Sequence, residues 1–102
     1  VKLAEALITD RKPHAALDIL IPITIDRPND EYAWYLLAEA YGLASNVPGV
    51  HEARAEFFVL NGNFDQAIKQ LGYALPLVRH NFQRSARIRQ RQQEIWELKD
   101  GD

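Results

Sequence analysis

Between Ala53 and Leu75 two runs of apolar residues recur at intervals of three and four, separated by the breaker Asn61-Gly62-Asn63. Ala55, Phe58 and Val59 form the first stripe; Phe64, Ala67, Ile68, Leu71, Ala74 and Leu75 form the second. Such spacing returns to one side of an α-helix every few residues and predicts an amphipathic helix on each flank. Asn63, three residues before Gln66, fits a helix N-cap whose partner reaches back to it. Gly62 suits the left-handed residue that ends the helix before. The stretch predicts two antiparallel helices joined by a three-residue turn. Ala55 and Ala67 lie on the apolar faces near that turn, and side chains of one methyl let the two axes approach closely.

The same patterning extends in both directions. Leu3, Ala4, Leu7 and Ile8 make a stripe over residues 1–9, and Pro13 suits the first turn of a second helix, where its missing N–H costs nothing. From Ala15 to Ile23 that helix is apolar nearly all round, which predicts a central, buried position; Pro22 is expected to kink or end it near Ile21. Asn29 or Asp30 would cap the next helix. The fifth helix meets Pro76, but Gly72 four residues earlier removes the steric conflict, so a bent helix is expected there and not a broken one. The last helix has a narrow apolar arc, Ile88, Ile95 and Trp96, which suits a terminal helix covering a stack. Six helices are predicted, over 1–9, 13–25, 30–43, 48–60, 64–78 and 82–98, in an all-α fold without strands.

Trp34-x2-Leu37-Ala38-x2-Tyr41 resembles the first-helix signature of the tetratricopeptide repeat, a helix-turn-helix unit of roughly 34 residues. Ala15-x3-Ile19 followed by Pro28 matches the second half of that pattern. His51-x2-Arg54-Ala55-x2-Phe58 returns to the first half, with His51 and Arg54 in place of the usual apolar pair. The resemblance implies a right-handed antiparallel helical-repeat array, with residues 1–102 as one tetratricopeptide-repeat domain.

Composition narrows the chemistry. The 102 residues carry a formal charge of −2, which gives no overall attraction to nucleic acid or to an anionic membrane. There is no cysteine, so disulfides, thiol nucleophiles and thiolate metal sites are excluded. No apolar run approaches the roughly 18 residues that membrane insertion requires. His51-Glu52 begins like the zinc-protease motif H-E-x-x-H, but position 55 is alanine, and zinc needs a second imidazole one turn on. Ser45 and Ser85 are the only serines, and His14, His51 and His80 fall on different helices or turns. No catalytic or metal-binding residues and no cofactor are therefore expected in this chain.

Two surfaces compete as binding sites. In a tetratricopeptide array the first helix of each unit lines the concave groove, and that register places Tyr32, Tyr35 and Glu39 in the groove, with Glu52 and Glu56 on the next helix. Tyrosine offers a large contact area with one hydroxyl and few rotors, which suits protein binding; packing of the same tyrosines against neighbouring helices is the alternative. Between Arg79 and Arg91 there are five arginines and no acid. Arg84, Arg87 and Arg91 form a stripe on one helical face that could hold an anionic ligand. Without interleaved aromatics or a basic domain, nucleic acid is disfavoured there, and a solvated face or pairing with acids such as Glu94 and Glu97 weighs more.

From Arg27 to Leu98 the chain also resembles a narrower family. The runs RPNDEYAWYLLAEAYG, ARAEFFVLNGNFDQAIKQLGYAL and NFQRSARIRQRQQEI are similar to the C-terminal tetratricopeptide region of periplasmic zinc metalloproteases related to the β-barrel assembly-enhancing protease. The resemblance implies a C-terminal piece of a longer bacterial envelope protein, with periplasmic localisation and a zinc protease domain upstream. It also implies protein partners: the parent's own protease domain, and outer-membrane barrel proteins or their assembly machinery. The chain opens on Val1 and not on methionine, as expected of a piece. Three functions follow as expectations: a non-catalytic protein-interaction module, an anionic-ligand binder using the arginine stripe, or the substrate-positioning part of a metalloprotease.

Overall fold

The computed structural model describes residues 1–101. Six α-helices follow one another: α1 (Lys2–Thr9), α2 (Pro13–Asp26), α3 (Glu31–Leu43), α4 (Val47–Leu60), α5 (Phe64–Ala74) and α6 (Phe82–Asp100), with a 3₁₀ turn (Leu75–Val78) between the last two. There is no strand among the described residues. Each helix packs chiefly on its neighbours in sequence, as in a helical-repeat array.

The connections explain why this sequence breaks where it does. At the C-terminal ends of α1, α3 and α4 one residue turns left-handed: Arg11 (φ 56°), Ser45 (φ 60°) and Gly62 (φ 76°). At each, two crossed hydrogen bonds satisfy the last carbonyls: Lys12 N–H donates to Leu7 O and Arg11 N–H to Ile8 O. Asn46 donates to Tyr41 O and Ser45 to Gly42 O, and Asn63 to Phe58 O and Gly62 to Val59 O. The following helices of the second and third turns then start on asparagine caps, Asn46 accepting from Gly49 N–H at 3.0 Å and Asn63 from Gln66 N–H at 3.4 Å. Asp30 and Asn81 cap α3 and α6 in the same manner. The reciprocal bond expected from Gln66 to Asn63 does not form, because the Asn63 N–H is already committed to Phe58 O at 2.9 Å.

Four further expectations are corrected. α2 is not buried all round: Ala16, Leu20 and Thr24 face inward, while Ile25 is 76% exposed, since α2 packs chiefly on α1 and α3. Pro22 does not end it; the helix runs on to Asp26, and the Thr24 hydroxyl donates to Ile21 O at 2.9 Å in that turn. The fifth helix does not stay α-helical to residue 78 but tightens into the 3₁₀ turn, with Pro76 in the first turn of that segment. The inward arc of α6 is Ser85, Ile88 and Ile95. Trp96 stays about half exposed, with Lys99 Nζ 5.0 Å above its ring, because it lies one position off that arc.

The core is rich in alanine. Nine of the sixteen buried apolar residues are alanines, so packing depends on close approach of helix axes more than on large side chains. Two clusters result. Ala4, Ala16, Leu20, Leu36 and Leu37 belong to the first, and Ala67, Leu71, Val78, Ile88 and Ile95 to the second. α4 joins them, giving Ala53 to the first and Ala55 to the second.

Candidate protein-interaction surface

Tyr32 and Tyr35 are one helical turn apart on α3 and therefore project side by side. Their rings stack with centroids 6.0 Å apart and planes 12° from parallel. Phe57 of α4 continues the series, 6.0 Å from Tyr35 and tilted by 49°, and meets Phe58 at 5.9 Å. Both tyrosines remain nearly half exposed, at 46% and 45%. The result is an aromatic ladder across the outer face of α3 and α4, flanked by a cavity of about 400 Å³ that Tyr35, Glu39, Gly42, Val50, Arg54 and Phe57 help to line.

Each tyrosine hydroxyl of the ladder has a carboxylate nearby. Tyr32 Oη donates to Glu5 Oε1 at 2.6 Å, drawing α1 against α3. That bond, with a small contribution from burial, holds the Tyr32 phenol above its ordinary value. A hydrogen bond to Glu39 acts on Tyr35 in the same direction.

Glu52 and Glu56 do not join this surface. They lie on the side of α4 that faces α6. Glu52 accepts from Arg84 Nε at 2.9 Å and is 3.4 Å from Arg87. Glu56 takes Arg91 in a two-point pair, both bonds 2.8 Å, and Arg91 also reaches Glu94 at 3.1 Å. The Glu56 carboxylate binds the protonated Arg91 guanidinium and raises its pKa further, against an opposing contribution from desolvation. Between α4 and α6 these side chains wall a slot of about 270 Å³, floored by Leu71 and Ile88. Of the five residues expected in one groove, the fold thus gathers Tyr32, Tyr35 and Glu39, and gives Glu52 and Glu56 to the arginine stripe. Glu94 does serve as a partner of that stripe, whereas Glu97 accepts from Gln93.

The repeat register does not single out Phe57, although an aromatic one position off the stripe of Phe58 is itself a signal of a second, outward contact. His51 and Glu52 each have structural partners: His51 Nδ1 lies 2.8 Å from Gln70 Oε1 and its ring 5.5 Å from Tyr73, while Glu52 is held by arginine. Among the described residues no three His, Cys, Asp or Glu side chains converge to hold a metal ion. Among the same residues no helix is long and apolar enough to cross a membrane.

No family model matches the chain. It is 32% identical over 100 residues to the β-barrel assembly-enhancing proteases of Escherichia coli (strain K12) and Shigella flexneri, an alignment that covers 98% of this chain and 20% of those proteins. The protein of that name from Yersinia pestis is 38% identical over 74 residues, 72% of this chain and 15% of its own length. The chain spans about one fifth of the length of the curated relatives it matches. Along nearly its whole length, then, this helical array is related to a part of the β-barrel assembly-enhancing proteases.

Proposed function

We propose that this chain is a non-catalytic protein-interaction module whose α3–α4 face holds an extended segment of another protein. The observation that carries the reading is the aromatic ladder. Two tyrosine rings stand nearly half exposed beside a cavity, backed by the more buried ring of Phe57, an arrangement in which aromatic side chains contribute strongly to protein recognition. The names of the relatives supply the class of partner. In this reading the module serves a longer envelope protein in the periplasm, docking on its protease domain and engaging outer-membrane barrel proteins or their assembly machinery. Any zinc would sit in that upstream domain, and the array would position substrate for it.

The competing arginine surface loses its main attraction. Arg84, Arg87 and Arg91 are matched by Glu52 and Glu56, so an incoming anion would have to displace partly buried carboxylates. A photo-crosslinking residue placed at Tyr35 of the parent protein in living cells tests the proposal against a control at Arg87. Adducts with barrel proteins or their assembly machinery are expected from Tyr35 and not from Arg87; the opposite distribution would refute it.

A further inference from the structure

The charges on the tyrosine face are unevenly satisfied. Of its acids, Glu5 accepts from the Tyr32 hydroxyl at 2.6 Å, and Glu39 lies near enough to Tyr35 to hold its phenol above the ordinary value. Its cations are not engaged. Arg54 lines the cavity between α3 and α4, is exposed, and takes part in no ion pair among the described residues. The same holds for Arg11, which lines a hollow that shares Glu39 and Gly42 with that cavity. On the other side the cavity shares Tyr35 and Phe57 with a hollow lined by Glu31 and Tyr32. Sharing these residues, the three hollows lie side by side along one face, which we read as a groove.

The groove is polar end to end. Glu31 marks one end, a carboxylate in the first turn of α3, where the helix dipole already favours a negative charge. At the other end Arg54 and Arg11 line the hollows that Glu39 also lines, two guanidinium groups to one carboxylate, a local positive excess on a protein whose total is −2. Resting on the interaction-module reading above, we infer that the bound segment is acidic. A bulky apolar side chain enters the cavity beside Tyr35 and Phe57, and a neighbouring Asp or Glu side chain meets Arg54, with Arg11 beyond. An exposed ion pair adds little affinity, but it sets register and rejects the wrong charge. Of the acids Glu39, Glu52 and Glu56, the fold withdraws two into pairs with α6.

An array of eight-residue peptides, bearing every pair of amino acids at the two central positions, tests the inference with the labelled 102-residue chain as probe. Signal is expected to concentrate on a large apolar residue next to Asp or Glu, about three- to fivefold above the Asn or Gln counterparts at low salt. Arg54→Gln should erase that preference, and Arg54→Glu should shift it to Lys and Arg neighbours. Apolar pairs bound equally whatever the neighbouring charge, with all signal lost in Tyr35→Ala, would overturn the acidic partner and leave the groove standing. No signal above background, or signal indifferent to Tyr35→Ala, would overturn the groove as well.

Discussion

Three helices end on the same left-handed turn, yet only α4 ends on a glycine. At Arg11 and Ser45 a Cβ sits where the backbone disfavours it, at a cost of roughly 1–2 kcal/mol. Ser45→Gly is therefore expected to stabilise the fold, and Gly62→Ala to destabilise it, each by about 1 kcal/mol; urea midpoints measure both. Nothing lies within 4 Å of a Cβ built on Gly62, so its requirement is purely one of backbone angle. Gly49 is required for space instead: a Cβ there would stand 2.8 Å from Tyr41 Cγ. The hydroxyls of Tyr32 and Tyr35 offer a test by pH. Both phenols are raised above 10.0, first by their hydrogen bonds to Glu5 and Glu39. A value raised in the folded state gives stability that is complete below the unfolded value and lost as pH climbs through the folded one. Phenolate absorbance should thus include a late fraction above pH 10, and Glu5→Gln should move part of it earlier.

α6 is held as much by charge as by apolar contact. Of its nineteen residues only Ser85, Ile88 and Ile95 are buried, whereas Arg84, Arg87 and Arg91 reach across to α4 and Lys99 reaches Asp65 of α5. The Glu56–Arg91 pair is two-thirds or more shielded on both sides, which places it between a surface pair and a buried one. Glu56→Gln is expected to cost about 1–2 kcal/mol and to act locally. Hydrogen exchange should quicken in α6 while α3 is unaffected, and added salt should loosen α6 in the unmodified chain in the same direction. Uniform acceleration across all helices would show that the pair supports the whole fold and not one element. The helices themselves were largely legible, because apolar period, Asx caps and breakers are local signals. At the prolines the local signal was less complete: Pro22 left open whether the helix ends, and Pro76 did not announce the 3₁₀ turn, for a complementary reason. Whether a ring ends, bends or tightens a helix depends on what packs beyond it, and neither Pro22 nor Pro76 carries that information.

Across the molecule the two core clusters meet only along α4, so damage to one end should not spread evenly. Ile95→Ala removes one of the four largest fully buried side chains and is expected to cost about 2–5 kcal/mol. Exchange should rise in α5 and α6 while α1 to α3 keep their protection, as in arrays stabilised by nearest neighbours; equal loss throughout would mean a single cooperative core. Outside α2, apolar nearly all round, and Trp96 of α6, the apolar stripes declared which side of each helix turns inward, and with the turn chemistry this was enough for six antiparallel helices in order. The repeat register in turn placed Tyr32, Tyr35 and Glu39 on one face of one helix, and the fold keeps those three together. It could not say which neighbour the remaining faces meet. Glu5 and Tyr32 are 27 residues apart, and Glu56 and Arg91 are 35 apart. A helical period fixes angles about a single axis, whereas those meetings depend on how several axes cross. The division of the acids between tyrosines and arginines, and with it the sign of the charge left in the groove, exists only once the helices are packed.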